Sequence, residues 1–297
     1  MKPWLALLLI ISSIAACSSS GTKSAKNSEA ELAGIYADIG LGALQRGDFP
    51  RAKEKLDQAL ELDPKLARAH HYIAELYTRT ENYVEAEGHY RQALRFTPDD
   101  ADLQNNFAAF LCNRERLDEA EKLFLKAIAN PQLNSPAWTY ENLGNCTLRR
   151  PDSAKAEGYF EQALKLQPTL PISLYRMAVL QFDKKEYFKA RAYLERYSSV
   201  GEMSAEVLWL GVRIERQLGD TAQVAKYGEL LKRRFADAPE TALFYGLSSG
   251  SGAVDTDSQT NTGGQGTKKI EQQPALVPFT SPTRQPQRDH SVLEGRP

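Results

Sequence analysis

Alanines recur along this 297-residue chain at a nearly constant interval. Ala52, Ala86, Ala120, Ala156 and Ala190 are 34, 34, 36 and 34 positions apart. Ala59, Ala93, Ala127 and Ala163 keep step with them, as do Pro64, Pro98 and Pro168. A third register of small residues runs through Gly40, Ala74, Ala108, Gly144 and Ala178. Self-similarity at this period means one supersecondary unit copied along the chain, too small to bury its own apolar face and therefore obliged to stack on its neighbours.

Each unit reads as two helices. In the first, Gly40 permits close approach of one helix to the next, and Gly47-Asp48 breaks the chain between them. The second helix then carries Ala52, Leu56 and Ala59 at spacings of four and three, a single stripe on a helix. Pro64 ends the unit, because proline cannot extend a helix but can begin the next segment. The pattern returns with Tyr83, Ala86, Tyr90 and Ala93, then Leu117, Ala120, Phe124 and Ala127, then Ala156, Phe160 and Ala163, then Tyr187, Ala190 and Leu194. This alternation of small and large residues resembles the tetratricopeptide repeat. The resemblance implies an all-α fold, a right-handed superhelix of about six helix-turn-helix repeats near 33–66, 67–100, 101–136, 137–170, 171–204 and 205–238, within a domain of residues 31–247. The sixth unit keeps Leu210-Gly211 and Gly219-Asp220 but replaces the alanine by Val224, as suits a terminal cap.

The front of the chain carries a different signal. Lys2, then Trp4 to Ile11, then Ser12-Ser13-Ile14-Ala15-Ala16-Cys17 form a basic start, a short apolar run and small residues, the pattern of a secretory signal over residues 1–16. The apolar run is too short to span a bilayer. Ile14-Ala15-Ala16-Cys17 also resembles the bacterial lipobox, which implies cleavage before Cys17 and lipidation of its thiol and new amino group. Several acyl chains hold a protein on a membrane far better than one. Ser18, in place of an aspartate, favours the outer membrane by the same resemblance. Residues 17–30 are polar and small and read as a flexible tether. Residues 248–297, rich in Ser, Gly, Thr, Gln and Pro, read as a disordered tail.

A formal net charge of −1 supplies no basic field for a general nucleic-acid binder. Setting Cys17 aside leaves Cys112 and Cys146, an even number for an oxidising compartment. Both fall late in the first helix of adjacent units, and a disulfide between them is expected; two buried free thiols are the alternative, since sequence gives no Cα separation.

Chemistry is thinly represented. The histidines are His70, His71, His89 and His290, without HExxH, and the cysteine spacing does not suit zinc. Gly263 to Lys268 lacks the spacing and preceding strand of a phosphate loop. Asp99, Asp100 and Asp102 follow Pro98 at a helix start, where carboxylates cap free N–H groups. No nucleophile–base pair emerges. Neither an enzyme, a metal, a cofactor nor a small-molecule substrate is expected.

Binding of another protein remains. In the tetratricopeptide fold, set positions of each first helix face the groove. Here they give Ala37, Leu41 and Leu44; Arg68, His71, Tyr72 and Glu75; Asn105 and Asn106; Asn142 and Asn145; and Tyr175, Val179 and Phe182. Asparagines donate and accept, so they suit a peptide backbone. The apolar residues of the first unit either face a partner or pack between neighbouring repeats.

A lipobox, a brief polar segment and about six repeats, with cysteines inside Asn105-Asn106-Phe107-Ala108-Ala109-Phe110-Leu111-Cys112 and Tyr140-Glu141-Asn142-Leu143-Gly144-Asn145-Cys146, resemble the type IV pilus biogenesis and stability lipoproteins. The resemblance implies a pilotin, lipid-anchored at the periplasmic face of a Gram-negative outer membrane, that escorts secretin subunits or stabilises pili. The alternative is a repeat scaffold for peptidoglycan or outer-membrane assembly.

Overall fold

The computed structural model describes residues 19–150 and 152–248. Among the described residues are thirteen α-helices and no strands. They come as antiparallel pairs: α1 (Ser19–Gln45) with α2 (Phe49–Leu62), α3 (Ala67–Arg79) with α4 (Tyr83–Phe96), α5 (Ala101–Asn113) with α6 (Leu117–Ala129), α7 (Pro136–Thr147) with α8 (Ser153–Leu166), α9 (Pro171–Asp183) with α10 (Tyr187–Ser198), and α11 (Ala205–Leu218) with α12 (Thr221–Arg234). A last helix, α13 (Pro239–Ser248), follows the sixth pair. The described residues fall into two compact units divided within α5, between Phe107 and Ala108.

Five of the turns inside the pairs share one geometry. Gly47 and Gly219 adopt φ of 77°, and Glu81, Glu115 and Lys185 adopt φ of 61°, 59° and 62° at the corresponding repeat positions. The residue after each donates its N–H back across the turn: Asp48 to Ala43 O at 3.0 Å, Asn82 to Tyr77 O at 2.8 Å, Arg116 to Leu111 O at 2.9 Å, Glu186 to Gln181 O at 2.9 Å, and Asp220 to Glu215 O at 3.0 Å. This is the Schellman arrangement, which satisfies the orphan carbonyls of a helix end through one left-handed residue. Three of the five turns achieve it without glycine.

Caps then start the next helices. Carboxylate oxygens of Asp48, Asp152 and Asp220 accept from the backbone N–H of Arg51, Lys155 and Gln223. Asp100 Oδ1 accepts from Leu103 N at 2.9 Å, the capping role its sequence position suggests.

In the first unit Ala52, Leu56 and Ala59 are fully buried on α2. A Cβ at Gly40 would lie 2.6 Å from Leu56 Cγ, so the small residue of the third register is what lets α1 and α2 meet. Leu56 and Ala59 also pack with Ala37, Ala69 and Ile73, joining α2 to α3. Tyr90 stacks on Phe107 with centroids 5.1 Å apart. The second unit repeats the scheme. Phe160 of α8 is fully buried among Ala156, Ala163, Leu170, Leu174 and Met177. Further along, Ala178, Ala190 and Leu194 pack with Val207, Leu210 and Ile214. Phe244 of α13 joins Leu208, Val212 and Leu231 in the last cluster, so α13 covers the sixth pair.

The first helix differs from the sequence reading. Part of the segment expected as a flexible tether is helical from Ser19, and α1 runs 27 residues without a break. Lys23, Ala25, Lys26, Glu29, Ala30 and Glu31 are good helix formers, and helix once nucleated by packing around Gly40 propagates back through them. The signal segment 1–16, Cys17 and the stretch after Ser248 lie outside the described residues.

Candidate functional site

Residues expected to line a groove divide into three groups. Ala37 and Leu44 are fully buried. Ala37 packs with Leu56 and Ile73, and Leu44 with Ala43, Ala52 and Leu76, so both belong to the core. They do not face a partner: α3 stacks on the pair before it and covers them. Leu41 is half-buried.

The second group is polar and buried. Glu75, Asn105, Asn106, Asn142 and Asn145 are all withdrawn from solvent. The sequence assigned them to an open clamp; instead several tie one first helix to the next. Asn106 Nδ2 lies 2.9 Å from His71 Nε2, and Asn105 donates to Asn106 Oδ1 at 3.1 Å. Arg79 bonds Glu75 at 2.5 Å and also donates to Leu44 O at 3.2 Å. Burial pushes the Glu75 carboxyl above the usual carboxylate range, opposed by Arg79. Burial likewise pushes the His71 imidazole down to about 4, with Asp100 acting against it, so His71 is neutral at pH 7 and fits an uncharged amide partner.

In the second unit the same stitching continues. Asn145 donates to Glu141 O at 3.1 Å and accepts from Arg176 Nε at 3.1 Å. Glu141 accepts from both Ser173 N and Ser173 Oγ, at 2.9 and 2.7 Å, and so caps α9 from a neighbouring repeat. Arg149 donates to Cys112 O at 2.9 Å, Asn113 Oδ1 at 3.0 Å and Glu115 at 2.7 Å. Beside these contacts Cys112 and Cys146 are joined by a disulfide with Cα atoms 5.9 Å apart. Polar groups are therefore spent on holding adjacent first helices in register, because leaving them unpaired on burial would be costly.

The third group stays partly open. Arg68 is exposed and reaches Asp38 at 3.4 Å. His71, Tyr72, Tyr175, Val179 and Phe182 are half-buried. Tyr175, Val179 and Phe182 pack against the cluster shared by α9, α10 and α11, with their outer sides at the surface. The Tyr175 hydroxyl donates to Glu206.

His70 and His89 meet at 3.0 Å between their Nδ1 atoms, and His70 Nε2 lies 3.1 Å from Pro64 O. Donation to that carbonyl leaves His70 Nδ1 as acceptor and His89 Nδ1–H as donor. Among the described residues, no group of three or more His, Cys, Asp or Glu side chains is placed to hold a metal ion.

Sequence reasoning missed an exposed apolar stripe in the first unit. Leu32, Ile35 and Ile39 of α1 are 41, 49 and 38 % exposed. Spaced by three and four, they form one stripe. Their counterparts one period later, Leu66, Ala69 and Ile73, pack against Leu56, Ala59 and Leu60 of α2. The stripe is thus the face that, in the next repeat, is covered by a preceding second helix; among the described residues no helix precedes α1. The signal was present in the repeat register at positions 32, 35 and 39, none of which is a presumed groove position.

Comparison with known proteins agrees with this architecture. Two family models, each described as tetratricopeptide repeat, match residues 38–101 and 99–169. Type IV pilus assembly protein PilF of Pseudomonas aeruginosa is 34 % identical over 214 residues, covering 72 % of this chain and 85 % of PilF. A solved structure of Pseudomonas aeruginosa PilF superposes with a TM-score of 0.70 at 33 % identity, over 74 % of this chain and 99 % of that one. The crystal structure of PilW, described as a widely conserved type IV pilus biogenesis factor, gives a TM-score of 0.65 at 29 % identity, over 71 % of this chain and 97 % of PilW. The repeat register, the paired helices and the extent of these matches place the chain in the PilF family of tetratricopeptide proteins of type IV pilus biogenesis.

Proposed function

We propose that this protein is a lipid-anchored pilotin that holds an apolar segment of the type IV pilus secretin on α1 and accompanies it to the outer membrane. The observation that carries the reading is the stripe of Leu32, Ile35 and Ile39, exposed among the described residues. A contiguous apolar face is costly in water and marks a place for a partner. The face is shaped to receive a helix, since its equivalent in the next repeat receives α2. An amphipathic segment with small and aliphatic residues at i, i+3 or i+4 and i+7 satisfies it, as Ala52, Leu56 and Ala59 do within the chain. Family membership supports the pilus context. The lipobox resemblance at Ile14-Ala15-Ala16-Cys17 supports the anchor.

Two experiments test it. With Ile35→Asp and Ile39→Asp together, secretin should no longer copurify with this protein from solubilised outer membrane, while helix content stays that of the wild type. Equal recovery of secretin would remove α1 from the interface. Cys17→Ala should leave the repeats folded but strand the secretin away from the outer membrane; normal secretin rings in that strain would refute the escort role.

A further inference from the structure

We propose that His70 and His89 form a two-imidazole binding site for Cu²⁺ between α3 and α4 of the second repeat. The inference concerns residues apart from the α1 stripe and does not rest on the secretin reading.

The two Nδ1 atoms stand 3.0 Å apart. Two nitrogens bound side by side at a right angle, each about 2.0–2.1 Å from an ion, lie about 2.9 Å apart, whereas tetrahedral binding sets them about 3.4 Å apart. Right angles and imidazole donors suit Cu²⁺, which also heads the divalent affinity series. His70 is oriented for such a bond. Its Nε2–H donates to Pro64 O at 3.1 Å, which leaves the lone pair on Nδ1. A backbone carbonyl in that position is a regular outer partner of a metal-bound imidazole. Both rings are half-buried, so the pair keeps a side open to water.

Packing alone does not ask for two histidines here. The same repeat positions hold Tyr36 and Lys55 in the first unit of the series and Tyr140 and Tyr159 in the fourth. There the contact is met by Lys55 Nζ, 5.6 Å from the Tyr36 ring centre, and by the two tyrosine rings at 6.4 Å. His71 is not a rival ligand, because its Nε2 faces Asn106 at 2.9 Å. The charged groups whose fields reach His89, Asp57 and Lys53 of α2, are ion-paired at 2.7 Å and together do not repel a cation. Among the described residues no third His, Cys, Asp or Glu completes a metal cluster, so water fills the remaining positions. Copper takes the place of the proton that joins the rings. His89 releases its Nδ1 proton to water while its Nε2 takes one up, and both Nδ1 lone pairs go to the ion. The ion lies off the line between the two nitrogens, and the rings turn toward it about their soft χ2 torsions. Ligands 19 residues apart on two helices form no short motif, so sequence spacing hides them.

The test is titration of the full chain with copper(II) chloride, followed by calorimetry and electron paramagnetic resonance. The wild type should bind a Cu²⁺ whose spectrum is split by two nitrogens. His70→Gln and His89→Gln should each lose that splitting and weaken binding at least about tenfold, the cost of disturbing even an outer partner of a ligand. His70→Tyr with His89→Lys restores the pair that the first repeat carries at these positions. It keeps the packing and should lose the site, so a folding defect in the Gln variants cannot account for their loss. Copper held elsewhere on the chain persists in every variant and subtracts out. Mg²⁺ in excess should not displace the ion, since imidazole is a poor donor to it. Wild-type affinity or an unchanged two-nitrogen spectrum in these variants overturns the inference. So does displacement by Mg²⁺, which would mark attraction to surface carboxylates.

Discussion

Gly144 of α7 faces the ring of Phe160 on α8 so closely that a Cβ there would lie 2.8 Å from Cε1. Phe160 is fully buried, so its ring has nowhere to retreat. Gly144→Ala should therefore destabilise the protein by about 1–3 kcal/mol through overpacking. Gly158, in the middle of α8, would meet nothing within 4 Å, and Gly158→Ala should stabilise by about 0.5–1 kcal/mol through helix propensity alone. Urea unfolding of the two variants should move in opposite directions; shifts of the same sign would contradict the packing described.

Glu81 and Lys185 hold left-handed turns that glycine occupies at positions 47 and 219. A side chain in that conformation carries a steric cost of about 1–2 kcal/mol, partly offset because glycine is freer in the unfolded chain. Glu81→Gly and Lys185→Gly should each raise stability by about 0.5–1 kcal/mol, measured as a higher urea midpoint at an unchanged slope.

The Cys112–Cys146 bridge closes a loop with a sequence separation of 34. Loop-closure entropy for that length corresponds to about 3–4 kcal/mol. Reduction, or Cys112→Ala with Cys146→Ala, should lower the unfolding free energy of the second unit by about that amount while leaving helix content at 25 °C near the wild-type value. Identical unfolding curves with and without reductant would show that the bridge contributes nothing.

His71 gives the stability a pH slope. Its folded pKa, pushed down to about 4 by burial, lies below the unfolded value of 6.5. Above pH 6.5 the imidazole is neutral in both states and imposes no penalty. As pH falls from 6.5 toward 4 the unfolded chain takes up a proton that the folded chain refuses, and stability drops by up to about 3 kcal/mol. His89, also held low by burial and by His70, acts in the same direction. His71→Gln should flatten the dependence between pH 7 and 4.5, read as the difference in unfolding free energy between variant and wild type at each pH.

The helix pairs were legible in the sequence because packing at a two-helix contact leaves a periodic trace. Gly40, Gly144 and Ala178 are small where a partner helix presses, and Ala52, Leu56 and Ala59 are apolar where it is pressed. The proposed binding surface was not legible in the same way. Groove positions taken from the repeat pattern presume that each first helix shows its inner side to solvent. Here Asn106 and Asn145 bond His71 and Arg176 of neighbouring helices, and a single sequence records that an asparagine is present but not what it bonds. The α1 stripe was hidden for a related reason: Ile39 and Ile73 are the same residue at the same register, and among the described residues only the second has a preceding helix that covers it. The left-handed turns at Glu81 and Lys185 leave no trace either, since neither residue type favours that conformation.

The unbroken length of α1 has a mechanical consequence. Twenty-seven helical residues make a rod about 40 Å long, continuous with the first repeat. That length makes α1 a stiff lever on the first repeat, so tilting or rotating its Ser19 end re-aims Leu32, Ile35 and Ile39 instead of letting them swing on a leash.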